Sequence, residues 1–183
     1  VNELLDRGVE NVVAVVRDTM KAKEAFGDTP NLEIVQCDLS DEQQIKKVFQ
    51  NVDAAIWCAT GFSNAPSGIV EKVMQLFGMV VTPSRSIDVV GLPTIAKSLN
   101  ATKDGLPKII MCSSSGVTRT IWDDEKKERF RGAADIPIVR LNPFSILDRK
   151  RESEESLREV CQETGTGYCI VRPAGLNDEW PAG

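Results

Sequence analysis

The stretch Asn11-Val12-Val13-Ala14-Val15-Val16-Arg17-Asp18 is an unbroken apolar run that closes on a cation and an acid. Without polar alternation it reads as a strand buried on both faces, the kind that parallel sheets covered by helices contain. Upstream, Leu4 and Leu5 followed by Arg7-Gly8 read as the last turn of a helix with its glycine stop. Downstream, residues 19–26 suggest a helix and Leu32–Cys37 a second strand ending at Asp38. Ser40, with Gln43 at the capping-box distance, predicts the N-cap of a helix that carries Ile45, Val48 and Phe49 on one face. A third strand follows at Asp53–Cys58, then a Gly-, Ser-, Asn- and Pro-rich loop at 60–68 and a short helix around Ile69–Phe77. The pattern finishes with a helix near Ser86–Leu99, a strand at Lys108–Cys112, a helix near Pro143–Thr164 and a strand at Tyr168–Arg172. Parallel neighbours need crossover connections, so this alternation predicts an α/β fold. One doubly wound, largely parallel sheet of these five runs is expected, with helices on both faces. Val80–Arg85 is ambiguous, and the charged excursion from Trp122 to Arg131 has no evident role.

The 183 residues fit a single domain over 1–183 with a substantial core, and 42% hydrophobic with 27% charged residues is an ordinary globular composition. A net charge of −5 argues against a broad nucleic-acid footprint. The absence of histidine removes Ser-His-Asp and Cys-His catalysis and most zinc sites, so no metal is expected. No apolar run approaches the roughly 20 residues that cross a bilayer. The five cysteines form no Cys-x-x-Cys pair. Their placement predicts free thiols in a reducing compartment, with Cys37, Cys58 and Cys112 mostly buried.

Ligands of open α/β sheets lie beyond the carboxyl ends of the strands. Arg17 ends the first run where an NAD-type domain commonly has an acid for the ribose 2′-hydroxyl, and an arginine can pair there with a 2′-phosphate instead. Asp38 can accept from an adenine amino group while Leu39 covers the ring, or Asp38 can cap the next helix. Ala59-Thr60-Gly61 would let a dinucleotide lie close to the backbone.

The order and spacing of these pieces resemble the atypical short-chain dehydrogenases, especially their NmrA-like branch and related plastid proteins. The matching segments are Val16-Arg17-Asp18, Cys37-Asp38-Leu39-Ser40-Asp41, Ala59-Thr60-Gly61, Ile87-Asp88-Val89-Val90-Gly91, Cys112-Ser113-Ser114-Ser115-Gly116, Lys150 to Glu154, and Ile170-Val171-Arg172-Pro173-Ala174-Gly175-Leu176. The resemblance implies a Rossmann-like domain that holds NADP(H) in preference to NAD. It implies cofactor contacts from Arg17, Asp38, Leu39, Ala59, Thr60, Gly61, Ser113, Lys150 and Pro173, and candidate catalytic roles for Lys150 and Ser114. It also implies that the family's first strand and glycine-rich phosphate loop precede Val1. If that loop is truly absent, no cofactor is expected, because the loop's amides and helix N-terminus hold the pyrophosphate.

Redox members of that family use Tyr-x-x-x-Lys, and with Lys150 as the lysine the tyrosine position is Ile146. The helical period places Lys150 and Glu154 inside the stripe of Ile146, Leu147, Leu157, Val160 and Cys161. Lys150 then pairs with Glu154, reaches a ligand such as the nicotinamide ribose, or snorkels to solvent. Ser113 and Ser114 have no evident activating base. Three functions remain open: a reductase or isomerase-like enzyme with an unusual proton donor, a cofactor-sensing regulator or assembly factor, and a structural subunit of a larger complex. The partners implied are a dinucleotide and, for the last two, other proteins. The free thiols imply a soluble protein of a reducing compartment, cytoplasm or plastid stroma, the plastid being what the resemblance adds.

Overall fold

The computed structural model describes residues 1–59, 87–99, 106–142 and 145–174. Strands β1 (Val12–Val16), β2 (Leu32–Gln36), β3 (Ala55–Trp57), β4 (Ile109–Cys112) and β5 (Tyr168–Val171) fall inside the five predicted runs, and every pairing among them is parallel. The helices are α1 (Asn2–Asp6), α2 (Thr19–Phe26), α3 (Glu42–Phe49), α4 (Ile87–Ser98), α5 (Asp124–Arg129), α6 (Arg131–Ala134), α7 (Pro137–Leu141) and α8 (Ile146–Thr164). The expected short helix around Ile69–Phe77, the ambiguous Val80–Arg85 and the site residues Thr60 and Gly61 lie outside the described residues.

One expectation needs correcting. The strands form two hydrogen-bonded groups, β1-β2 and β3-β4-β5, not one ladder. The doubly wound strand order 3-2-1-4-5-6 explains the division. The described strands supply a 3-2 pair and a 4-5-6 trio, and the ladder breaks where strand 1 of that order would lie. The two groups still share a core. Val15 from β1 and Cys37 after β2 pack in the same cluster as Trp57, Ile109 and Met111, together with Ile45 and Phe49 of α3, Leu92, Ile95 and Ala96 of α4, and Leu157 and Cys161 of α8.

Strand alternation then sorts the three-stranded sheet into two faces. Trp57, Ile109 and Met111 are buried under the helices, while Ile56 and Val171, on the other face, are 50% and 48% exposed. Among the described residues that second face is open.

Local chemistry accounts for the element ends. Gly8, at φ +82°, closes α1: its N–H donates to the Leu5 carbonyl at 2.9 Å and that of Val9 to Leu4 at 3.0 Å. This is a Schellman stop of the predicted kind. The N-cap of α3 is Asp41 and not Ser40, because the Ser40 hydroxyl turns back to Asp38 Oδ1 at 2.6 Å. Asp41 Oδ1 accepts from the Gln43 and Gln44 amides at 2.9 and 3.3 Å. A carboxylate there also opposes the positive end of the helix dipole. Asn142, in the left-handed region, secures the start of α8 by accepting from the Leu147 amide at 2.9 Å.

Helix α4 lies so close to β3 that only glycine fits at position 91. A Cβ built there would sit 2.7 Å from the Leu39 carbonyl oxygen and 2.9 Å from Trp57 Cη2. The carbonyl belongs to the backbone and cannot rotate away. Gly91→Ala is therefore expected to destabilise the fold by about 1–3 kcal/mol, the usual cost of overpacking. Urea unfolding of the variant beside the parent checks it, and an unchanged midpoint would contradict this packing.

Candidate functional site

The carboxyl ends of all five parallel strands carry the residues singled out by sequence. Arg17 follows β1 and is exposed, its carbonyl accepting from Gln36 Nε2 at 3.0 Å. The neighbouring Asp18 is spent on capping α2, accepting from the Met20 and Lys21 amides. Asp38 follows β2; its Oδ1 accepts from the Ser40 amide at 2.9 Å and its amide donates to Gln44 Oε1 at 3.0 Å. Asp38 thus shapes the turn before α3, while the capping alternative belongs to Asp41. Leu39 and Ala59 both pack against the main core cluster.

After β4 the two serines take structural partners. Ser113 is 6% exposed and its hydroxyl donates to Glu154 Oε1 at 2.5 Å. Ser114 caps a 3-10 turn at Ser115–Thr118, its Oγ accepting from the Gly116 amide at 3.2 Å. The loops after β4 and β5 run side by side: the Ser113 amide donates to the Val171 carbonyl at 2.8 Å and that of Ser115 to Pro173 at 3.0 Å.

Glu154 is the residue whose role the sequence did not reveal. Its side chain is 1% exposed, and its two oxygens accept four bonds. Oε1 receives Ser113 Oγ and Arg172 Nε at 2.9 Å, and Oε2 receives Arg158 at 3.1 Å and the Arg172 guanidinium a second time. That uses the roughly four lone-pair positions a carboxylate has. Burial alone raises the carboxyl pKa, but hydrogen bonds from Arg172, Ser113 and Arg158, with the Arg172 charge, bring it below its ordinary value.

The Lys150–Glu154 pairing is thereby overturned. The carboxylate is filled by other donors, and Lys150 Nζ instead donates to the Cys112 carbonyl at 3.4 Å, at the end of β4. One turn earlier Ile146 packs against a second apolar cluster of Val117, Val139 and Leu147. Tyr168 begins β5, at the opposite end of the sheet.

The thiols depart partly from expectation. All five cysteines are free; Cys37 and Cys161 are buried, Cys112 is half-buried, and Cys58 is exposed, contrary to its predicted burial. Cys58 stands one residue beyond the short β3, on the open face of the sheet. Its pKa is nonetheless raised, first by desolvation and next by Cys112, against the lowering effect of Lys150.

Comparison with known proteins agrees with this architecture. The NAD(P)H-binding family model matches residues 1–183, and the chain belongs to that family. It is 30% identical over 190 residues to an uncharacterised chloroplastic protein of Arabidopsis thaliana, covering 100% of this chain and 56% of the relative. The chain thus spans little more than half the length of that curated relative. Vestitone reductase from alfalfa is similar in fold, with a TM-score of 0.54, 18% identity, and coverage of 93% of this chain and 50% of the enzyme. A short-chain dehydrogenase/reductase from Vibrio parahaemolyticus gives 0.53 at 14% identity, covering 95% of this chain and 78% of the other. Among the described residues no helix is long and apolar enough to cross a membrane, and no group of metal-ligating side chains gathers.

Glu154 supplies a test of the site's framework. Glu154→Gln keeps the volume and removes the charge that Arg172 and Arg158 share, so it should cost roughly 3 kcal/mol, the lower end for breaking a buried pair when the partners are partly exposed. A carboxylate with a depressed folded pKa contributes stability above its unfolded pKa and loses it as pH falls through the folded value. Unfolding measured from neutral pH down through the carboxylate range should therefore show the advantage of the parent over the variant shrinking as acid is added. A constant gap across that range would refute the assignment.

Proposed function

We propose that the carboxyl-end crevice binds NADP(H) and that the protein acts as a cofactor-responsive regulator or assembly factor, without tyrosine-dependent carbonyl reduction. The observation that carries this reading is the placement of Lys150. Its ammonium reaches the end of β4, whereas the position one turn earlier is Ile146, packed in an apolar cluster. A lysine so placed can hold a ribose or phosphate oxygen, but it has no phenol to activate.

The donor set suits a dinucleotide. A guanidinium stands at the end of β1, an acid at the end of β2, a small residue after β3 and an ammonium at the end of β4. In this reading Arg17 pairs with the 2′-phosphate, Asp38 and Leu39 border the adenine, and Ala59, Thr60 and Gly61 approach the backbone of the cofactor. Ser113 and Pro173 border the nicotinamide end, and Lys150 holds its ribose. When bound, the reduced nicotinamide would supply a hydride. Among the described residues the proton to accompany it has no evident activated source: the Ser113 hydroxyl donates to Glu154, and Ser114, whose Oγ accepts from the Gly116 amide, has no base or lysine-assisted phenol beside it. A reductase or isomerase-like activity would need its proton from substrate or water. The chloroplastic relative supports a plastid setting, and a role in a larger complex extends the same reading.

Two measurements on the whole protein decide the matter. If Arg17 holds the 2′-phosphate, Arg17→Ala should weaken NADPH binding roughly 10- to 100-fold more than NADH binding, the equivalent of a charge-assisted bond of about 1.5–3 kcal/mol. Equal losses by calorimetry would remove that role, and no binding of either nucleotide by the parent would favour the structural-subunit alternative. In NADPH oxidation across a panel of aldehydes and ketones, little turnover is expected. Robust turnover that survives Tyr168→Phe would establish a different proton donor and sink the non-reductase reading.

A further inference from the structure

The geometry points to a redox-active dithiol formed by Cys58 and Cys112, closing to a disulfide across the β3–β4 ladder on the open face of the sheet. The register pairs Ala55 with Ile109, Ile56 with Ile110 and Trp57 with Met111; continued one residue past the end of β3 it sets Cys58 opposite Cys112, and the two thiols are near enough for Cys112 to act electrostatically on Cys58. Neighbouring strands run about 4.7–4.9 Å apart. That spacing falls within the roughly 4.4–6.8 Å that a disulfide allows between its Cα atoms. Alternation puts both side chains on the face of Ile56 and Ile110, opposite the helical core. Cys58 is exposed, Cys112 is half-buried, and each is a free thiol.

The other cysteines are poor partners. Cys169 pairs in register with Ile110, which sets it two residues back along the ladder from Cys112 and a strand further from Cys58. Cys37 and Cys161 belong to the core cluster, and burial pushes the Cys161 thiol up to about 11. Cys58 is therefore the entry point, and Cys112 the thiol placed to resolve it. The proposal does not depend on what the crevice binds.

The oxidant is a small disulfide such as oxidised glutathione. The Cys58 thiolate attacks one of its sulfurs, the glutathione S–S bond breaks, and one glutathione leaves as thiolate. Cys112, after losing its proton, attacks the Cys58 sulfur and expels the second glutathione. Two electrons and two protons pass in all from the two cysteines to one glutathione disulfide, giving two glutathione thiols. Because the Cys58 pKa is raised, the first attack should be slow at neutral pH and quicken towards alkaline pH.

The test is peptide mapping by mass spectrometry of the whole protein after incubation with oxidised glutathione, with differential alkylation. Protection of Cys37 and Cys161 from alkylation shows in each sample that the fold is intact. The expected result is a reducible peptide joining Cys58 to Cys112, an alkylation rate of Cys58 lowered by at least about tenfold, and faster closure between about pH 7 and about pH 9. Cys112→Ser should trap glutathione on Cys58, and Cys58→Ser should leave Cys112 a free thiol. If the first variant fails to fold, the second and the parent still decide. Parent protein that holds glutathione on Cys58 while Cys112 stays alkylatable, or that links Cys112 to Cys169, would overturn the proposal.

Discussion

The Glu154 carboxylate is the constraint on which the candidate site depends. Removing a carboxylate from water costs several kcal/mol, and the charge is tolerable only where donors replace the lost solvent. Here those donors come from different parts of the chain: Ser113 after β4, Arg172 after β5, and Arg158 one turn along α8 itself. Satisfying one charge thus locks the middle of α8 to two strand ends. Ser153, beside it, adds a link to α4 by donating to the Asp88 carbonyl at 3.1 Å. The helix can then neither slide nor rotate without exposing an unpaired buried charge. Lys150, one turn earlier, inherits its position at the Cys112 carbonyl from that lock.

The same economy of packing holds the two half-sheets together. No backbone hydrogen bond joins β1 to β3 among the described strands, so side chains from α3 and α4 bridge them. Gly91 is the closest point of that bridge. Its missing Cβ lets α4 descend onto the Leu39 carbonyl and the Trp57 ring at once, one on each side of the break. Leu39, read from sequence as a cover for adenine, is by this contact also part of the seam between the sheets.

Element types were legible because continuous apolar runs and the 3.6-residue stripe are local signals. Val12–Val16 needed no partner to declare itself, and the Arg7-Gly8 stop was readable from the residues alone. The misreadings arose where a choice depended on a distant or competing group. Ser40 and Asp41 are both good caps, and the contest was settled by Asp38, which takes the Ser40 hydroxyl. Glu154 met Arg172 and Ser113 only after folding, so the i,i+4 spacing to Lys150 was a misleading clue. Cys58 looked buried because its run is apolar, yet β3 ends at Trp57 and Cys58 falls on the face of exposed Ile56, where its side chain is exposed too. The ladder break likewise follows from strand order, which no single run encodes.

What the site can do follows from how its polar atoms are already committed. In a tyrosine-lysine pair the ammonium lowers the phenol pKa, and its usefulness lies in that proton. Here the turn before Lys150 carries Ile146, half-buried against the cluster of Val117, Val139 and Leu147. A phenol introduced at that position would border apolar side chains and would still need a supporting shell to hold it for proton transfer. Ile146→Tyr is accordingly expected to yield no efficient carbonyl reductase. Efficient NADPH-dependent turnover by that single variant would mean that the surrounding shell is still arranged for proton transfer. Failure with NADPH binding intact is the outcome expected where Ser113 and Glu154 are committed to each other and no shell holds the new phenol.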